Sequence, residues 1–330
     1  HVDGPMRRMW NTTMIEMFGT HATNVTIGQL IHMRSGLGDF DTPRYDDPVL
    51  KSGALHDPFF DLQFLANNTG QFGCRVTDGC TWVCAPGTCT SYSSANFLLA
   101  GLVLLAHAPK SQNTWRTFQQ GVALGPDFSS DRYNHTYFPA FGPLPKKGLT
   151  TAGSSVFLNP SNPPVNPIEI FDQDASIMGF GYGYAVATPR DVARFFFDLF
   201  SSERKFVSDS ALAAMQIFHT LDTGWARGTM NYGAGLEVRS VEPTHENPPL
   251  LTDFATFIGH DGQTYGFWSN QGWFPQLNGS IAVFTNQDYD QRVDYAMTCN
   301  ILKIVARHRG LKDGGLQCLT PQSATVFNFV

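Results

Sequence analysis

The side chains able to do chemistry in this sequence fall into a few tight groups. Gly259-His260-Asp261-Gly262 sets an imidazole and a carboxylate between glycines, and Tyr92 stands among hydroxyl side chains just ahead of an apolar run. A phenol and an imidazole can each carry a proton to or from a reacting group. On spacing alone, Tyr92 reads as a buried aromatic at a helix entry and His260 as an exposed turn residue. One Ser-x-x-Lys string, Ser202-Glu203-Arg204-Lys205, has a nucleophile and a base one helical turn apart. It follows an amphipathic stretch ending near Phe200, however, and falls in a charged loop. No group of His, Asp and Glu has ligand spacing, so neither a metal nor another cofactor is expected.

Six cysteines form an even set: Cys74, Cys80, Cys84 and Cys89 lie close together, and Cys299 and Cys318 lie late in the chain. The early gaps do not match the paired two-residue spacings of a zinc knuckle, so disulfides are the reading. The four early cysteines are expected to pair among themselves just before Tyr92, and Cys299 to pair with Cys318, clipping the final helix to the tail. Asn11, Asn24, Asn67, Asn134 and Asn278 each head an N-x-S/T sequon. With the even cysteine set they point to a eukaryotic secretory pathway, to a secreted or lumenal protein, and to N-linked glycan on exposed asparagines, Asn278 at a hairpin tip.

Composition narrows the classes further. A chain of 330 residues that is 42% hydrophobic can bury a sizeable core. A net charge of −6, with no basic run beyond pairs such as Arg7-Arg8, gives no electrostatic footprint for nucleic acid. The longest apolar run, Phe97 to Ala106, is far short of the roughly 20 residues that span a bilayer and reads as a buried helix. The chain opens on His1 with no Met and no signal peptide, as expected of a processed or incomplete form of a longer product.

The elements that must position these residues change character along the chain. Thr26 and Gln29 form a capping box opening a short helix that stops at Ser35-Gly36. Asp41 to Pro48 is turn-rich, and a cysteine-tied loop leads through Pro86-Gly87 into a helix from Ser93 to Ala106. Pro, Gly, Asn and Ser crowd Gly125 to Asn166 and argue against regular structure there. Thr188-Pro189 opens an amphipathic helix through Phe200, and Ser208 opens another through Met215. Beyond residue 230, "YGAGLEVRSV", "TYGFWSNQGWFP" and "GSIAVFTNQD" read as antiparallel strands joined by turns such as Leu277-Asn278-Gly279, and Arg292 to Arg309 as a closing helix. The fold class is α+β: an antiparallel sheet flanked by helices, with an inserted helical, loop-rich region. Residues 1–35 and 222–330 are assigned to the sheet region, and residues 36–221, with the loop 74–89, to the insertion.

Four stretches in order resemble the serine β-lactamase and penicillin-binding-protein superfamily, which includes class C β-lactamases, D-Ala-D-Ala carboxypeptidases and related esterases. They are "VDGPM" followed by "VTIGQLIHMRSGLGDF", then "WVCAPGTCTSYSSANFLLAGLVL", then "GYGYAVATPRDVARFFFDLF", and finally "FIGHDGQTYGFWSNQGWFP" with "GSIAVFTNQD". The resemblance implies a β-lactamase/transpeptidase-like fold and acyl-transfer chemistry. It places Tyr92 on the family's proton-relaying Tyr and His260-Asp261-Gly262 on its Lys/His-x-Gly motif. By the same resemblance His260 lines the opposite wall of the site on a strand edge, Asp261 and Gly262 border the substrate, Gly262 admits its backbone closely, and the N–H of Gln263 forms half of an oxyanion hole.

The pattern also departs from the family. The Ser-x-x-Lys nucleophile helix, expected upstream of Val2, is absent. Ser94 stands where the family's Asn grips a substrate carbonyl, and Asn96 points elsewhere because two helical positions turn it away. Met33 replaces the usual His of a Thr-His-Thr-Ser-Gly-Leu stretch. The resemblance therefore implies a hydrolase of amide or ester bonds when joined to its nucleophile segment, or else a non-catalytic secreted structural or binding module in an extracellular assembly. Either way, a missing N-terminal chain or a neighbouring subunit is expected at an open edge of the sheet.

Overall fold

The computed structural model describes residues 2–67, 81–121, 131–143, 154–155, 168–170, 172–202, 206–224, 226–242, 248–286 and 293–318. Cys74, Cys80, Lys205 and the tail beyond Cys318 lie outside these residues.

The chain opens with short helices, α1 (Asp3–Trp10), α2 (Met14–Phe18) and α3 (Ile27–Ile31), then α4 (Pro43–Ser52), α5 (Pro58–Asn67) and the long α6 (Ser94–His107). The capping box of α3 forms as its sequence dictates, the Thr26 side chain accepting from Gln29 N and the Gln29 side chain accepting from Thr26 N. The helix ends earlier than Ser35-Gly36, because Met33 adopts a left-handed φ of 57°. Asp41 to Pro48 corrects the turn reading. Pro43 sits in the first turn of α4, where a missing N–H costs nothing. Tyr45, Asp46, Val49 and Leu50 are buried at helical spacing, so tertiary burial holds the helix across Pro48. The helices α1, α2 and α5 had no sequence reading of their own. Met6, Phe18, Leu37, Leu62, Leu98, Leu102 and Phe180 pack into one core cluster of this helical region.

Between residues 131 and 187 the described regular structure consists of short 3-10 turns and two-residue strands: β1 (Thr136–Tyr137), β2 (Ser154–Ser155), β3 (Ile168–Glu169) and β4 (Val186–Ala187). Then come α7 (Pro189–Phe200), capped by Thr188, and α8 (Asp209–Met215), capped by Ser208.

The principal sheet is antiparallel, in the order β10-β9-β8-β7-β6-β5. Its strands are β5 (His219–Thr220), β6 (Asn231–Tyr232), β7 (Glu237–Ser240), β8 (Thr256–Thr264), β9 (Phe267–Phe274) and β10 (Gly279–Thr285). The run "TYGFWSNQGWFP" is a turn followed by a strand. Thr264 closes β8, Tyr265-Gly266 makes the turn with Gly266 at φ 76°, and β9 starts at Phe267. The motif around His260 is therefore the longest strand of the sheet, which its glycines and polar residues conceal from a β-propensity reading.

The last helix, α9 (Val293–His308), packs through Tyr295, Cys299 and Leu302 against Phe257, Phe274 and Val283. On the other face Phe196 and Leu199 of α7 and Leu212 of α8 meet Val238 and Ile258. Neighbours Phe257 and Ile258 thus enter different cores, as strand alternation requires. Among the described residues two disulfides are formed, Cys84–Cys89 and Cys299–Cys318. All five sequon asparagines are exposed, and Asn278 sits at φ 48° in the connection between β9 and β10. No described helix is long and apolar enough to cross a membrane.

Candidate active site

Tyr92 sits immediately before α6, and its backbone is held from two sides. Ser91 N donates to Met33 O at 2.8 Å, Gly87 N to Arg34 O at 2.8 Å and Val83 N to Gly36 O at 2.8 Å. Gly36 is required here: at φ 80°, a Cβ would lie 2.2 Å from Cys84 O. From the sheet side, Thr90 N donates to both carboxylate oxygens of Asp222 at 3.1 and 3.2 Å, and Asp222 N donates back to Thr90 O at 3.1 Å. The Cys84–Cys89 bridge closes the loop between these anchors.

Met33 has a structural part at this junction. Its Sδ accepts from Ser93 N at 3.4 Å and from Asn96 Nδ2 at 3.1 Å. Asn96 is fully buried, its Oδ1 accepting from Ser35 Oγ at 2.5 Å, so its amide is engaged inside the protein. Ser94 is buried too, its N–H donating to Asp39 Oδ1 at 3.1 Å.

His260 comes from β8. Its Nδ1 lies 2.5 Å from the carbonyl of Asp261, which only accepts, so Nδ1 carries a proton. Its Nε2 lies 3.0 Å from the Tyr232 hydroxyl and 3.5 Å from Glu237 Oε1. Tyr92, Tyr232 and His260 form a triangle of rings, with centroids 5.9 Å apart for Tyr92–Tyr232, 5.7 Å for Tyr232–His260 and 6.2 Å for Tyr92–His260. Two motifs far apart in sequence thus meet where the helical region joins the sheet.

The triangle is set among carboxylates. Burial first, then the charges of Glu237, Asp39, Asp261 and Asp41, push the Tyr92 phenol well above its ordinary range. Glu237 is fully buried. Burial and the charge of Asp261 raise it to about 7, while His260 and Arg239 oppose the shift. Burial and the charge of Asp41 likewise raise Asp39.

Asp261 has its carboxylate engaged by Arg239 and by the Tyr295 hydroxyl of α9, the latter at 3.0 Å. Gly262 faces Ser269 so closely that a Cβ would stand 2.4 Å from its Oγ. Gln263 is exposed near the end of β8. Sequence reasoning passed over Tyr232, Glu237, Arg239 and Asp39. The signal for two of them was available: Glu237 and Arg239 are opposite charges at alternate positions of an apolar strand, which predicts one shared face.

Pairing of β7 with β8 also assembles a cluster that spacing along the chain did not reveal. Donor atoms of Glu237, His260 and Asp261 lie within 4.8 Å of one another. The Arg239 guanidinium already binds Asp261 and lies 3.8 Å from Glu237 Oε2, so a cationic group holds part of that cluster.

Comparison with known proteins places this geometry. A D-stereospecific amidohydrolase from Streptomyces sp. superposes with a TM-score of 0.61 at 20% identity, covering 91% of this chain and 79% of that one. A D-amino acid amidase from Ochrobactrum anthropi, complexed with L-phenylalanine amide, gives 0.62 at 16% identity, covering 94% and 77%. The octameric penicillin-binding protein homologue from Pyrococcus abyssi gives 0.57 at 15% identity, covering 96% and 61%. At these identities the likeness concerns the fold. The description of the beta-lactamase family matches residues 1–305, nearly the whole chain including both motifs of the ring triangle, and the chain therefore belongs to the beta-lactamase family.

Proposed function

We propose that this chain carries the Tyr92–His260 part of a serine acyl-transfer site, and that the complete protein hydrolyses amide or ester bonds with a serine supplied by polypeptide outside these residues. The observation that carries this reading is the 6.2 Å approach of the Tyr92 and His260 rings. A phenol and an imidazole at that separation can hold a reacting atom and its proton between them. In this reading Gln263 N–H stabilises the oxyanion, and Asp261, Gly262 and Ser94 border the substrate. The structural neighbours named as amidases and an amidohydrolase make amides the first substrates to try.

The nucleophile segment and the expected partner at the sheet edge are proposed to be one polypeptide. Its place would be beside β10, an edge strand of the sheet, and over Met297 and Ile304 of α9, which are 47% and 65% exposed. Secretion and N-glycosylation belong to the same reading, supported by five exposed sequons and two disulfides.

One observation favours a second reading, a non-catalytic module of the same fold. The charges that raise Tyr92 most are carboxylates, which hold its phenol neutral; a relay tyrosine works best beside a cation. The test is to express the protein together with whatever coding sequence its transcript carries ahead of His1, then react it with a fluorophosphonate probe and with amino acid amides and esters. The hydrolase reading expects a covalent adduct on a serine outside residues 1–330, and a fall in kcat of about 100-fold in Tyr92→Phe. No adduct and no turnover hands the case to the non-catalytic module.

A further inference from the structure

A buried carboxylate with an unanswered oxygen is costly in a protein interior, and Glu237 has one. It is fully buried, and Oε1 has no hydrogen-bond partner among the described residues. Its other oxygen, Oε2, accepts from Asp261 N at 3.3 Å and lies 3.8 Å from Arg239 Nη1. Oε1 is turned to His260, whose Nε2 is 3.5 Å away.

We propose that Glu237 and His260 share one proton across the β7–β8 pair, and that Glu237 is the positioning residue that keeps His260 cationic beside Tyr92. The proposal deepens the hydrolase reading and rests on it for its catalytic meaning, because His260 then sets a positive charge among the carboxylates that act on Tyr92. Nδ1 is committed to the Asp261 carbonyl at 2.5 Å, so the proton that comes and goes is the one on Nε2. When Nε2 is protonated it stands 3.5 Å from Glu237 Oε1 as an ion pair. When the proton passes to the carboxyl, Nε2 accepts from the Tyr232 hydroxyl at 3.0 Å. The total charge of the pair is the same in both.

The surroundings fit a shared proton. Arg239 neutralises Asp261 and stacks its guanidinium 5.1 Å from the Tyr295 ring, so the second carboxylate of the cluster has its own cation. Facing the pair are Tyr232 from β6, Arg239 from β7, Asp261 from β8, Tyr92 ahead of α6, and Tyr295 of α9 with Asp294 behind it. A divalent cation would have to settle beside the Arg239 guanidinium, which disfavours it electrostatically.

The experiment is an NMR titration of the His260 ring in the intact protein, wild type against Glu237→Gln, an isosteric change that removes the charge alone. Removing an anion at this distance disfavours imidazolium, so the His260 midpoint should fall by about one pH unit or more. A midpoint in Glu237→Gln that matches wild type overturns the proposal. If that variant does not fold, the reciprocal measurement serves. In His260→Gln the carboxyl carbon of Glu237 should titrate with its midpoint displaced upward, and an unchanged midpoint overturns the proposal equally. Zinc added to wild type should leave both signals in place; tight binding that removes them would reassign the cluster to a metal. None of these readouts needs turnover. A coupled titration in a protein with no hydrolytic activity would sink the hydrolase reading and leave the proton-sharing pair standing.

Discussion

Tyr265, in the turn between β8 and β9, donates its hydroxyl to Asp46 of α4 at 2.7 Å. The strand that carries His260 ends in a side chain inserted into the helical region, where Tyr265 is 6% exposed and belongs to the same core cluster as Leu98 and Phe180. The hydrogen bond therefore braces the two bodies whose junction brings Tyr92 to His260. Removing it with Tyr265→Phe is expected to cost about 1–3 kcal/mol, because it leaves a buried carboxyl oxygen without its donor, as read by urea denaturation.

Asp46 also gives stability a direction with pH. Burial, then the charge of Asp41, raises it to about 9, against the pull of the Tyr265 hydrogen bond. An unfolded aspartate titrates near about 4, so between these values the native state holds more protons than the unfolded state. Stability should fall as pH rises through that window. Asp46→Asn fixes the neutral form and should flatten the decline between about pH 5 and pH 8 by on the order of 1 kcal/mol or more. Glu237 and Asp294, raised to about 7 and about 6, contribute in the same direction and keep some slope in the variant. Urea midpoints across the range decide it, and parallel slopes for the two proteins would contradict the assignment of Asp46.

Met33 can be tested as an acceptor. Leucine conserves its volume but offers no lone pair, leaving Ser93 N–H and the Asn96 amide without the sulfur they donate to. Met33→Leu should lose about 1–3 kcal/mol despite being apolar for apolar. A loss below about 0.5 kcal/mol would mean that the sulfur contacts contribute packing alone.

The Cys299–Cys318 bridge fastens α9 to the segment that follows it, a separation of 19 residues. Replacing both by serine should lower stability by about 3 kcal/mol on the chain-entropy account. Peptide mapping without reductant should recover residues 299 and 318 in one linked species. Mapping also extends to Cys74 and Cys80, expected to form a pair of their own.

Sugar is checked most directly by mass. Protein made in a eukaryotic secretory host should shrink on treatment with an amidase that removes N-linked glycan, and the released sites should include Asn11, Asn24, Asn67, Asn134 or Asn278, all exposed. Unmodified asparagine at all five positions would remove the support for secretion.

Local signals in this sequence were read where the physics is local. The capping box at Thr26 and Gln29, the Thr188-Pro189 entry to α7, the Ser208 cap of α8 and the tip at Asn278 depend on neighbours a few residues away, and each forms where the sequence marks it. The stretches around Tyr92 and His260 that resemble the family were legible for the same reason, since each is a short string. What escaped depends on partners far along the chain. α4 forms across Pro48 because Tyr45, Asp46, Val49 and Leu50 find a core to enter. The strand character of β8, implied by the family resemblance, escaped only the propensity reading, because it comes from hydrogen bonds to β7 and β9 that outweigh its glycines. In sequence Glu237 shows only as a charge beside Arg239 in the strand run "YGAGLEVRSV". Only the pairing of β7 with β8 buries it beside His260, where removal from water and the neighbouring charges, rather than its own chemistry, set what its proton does.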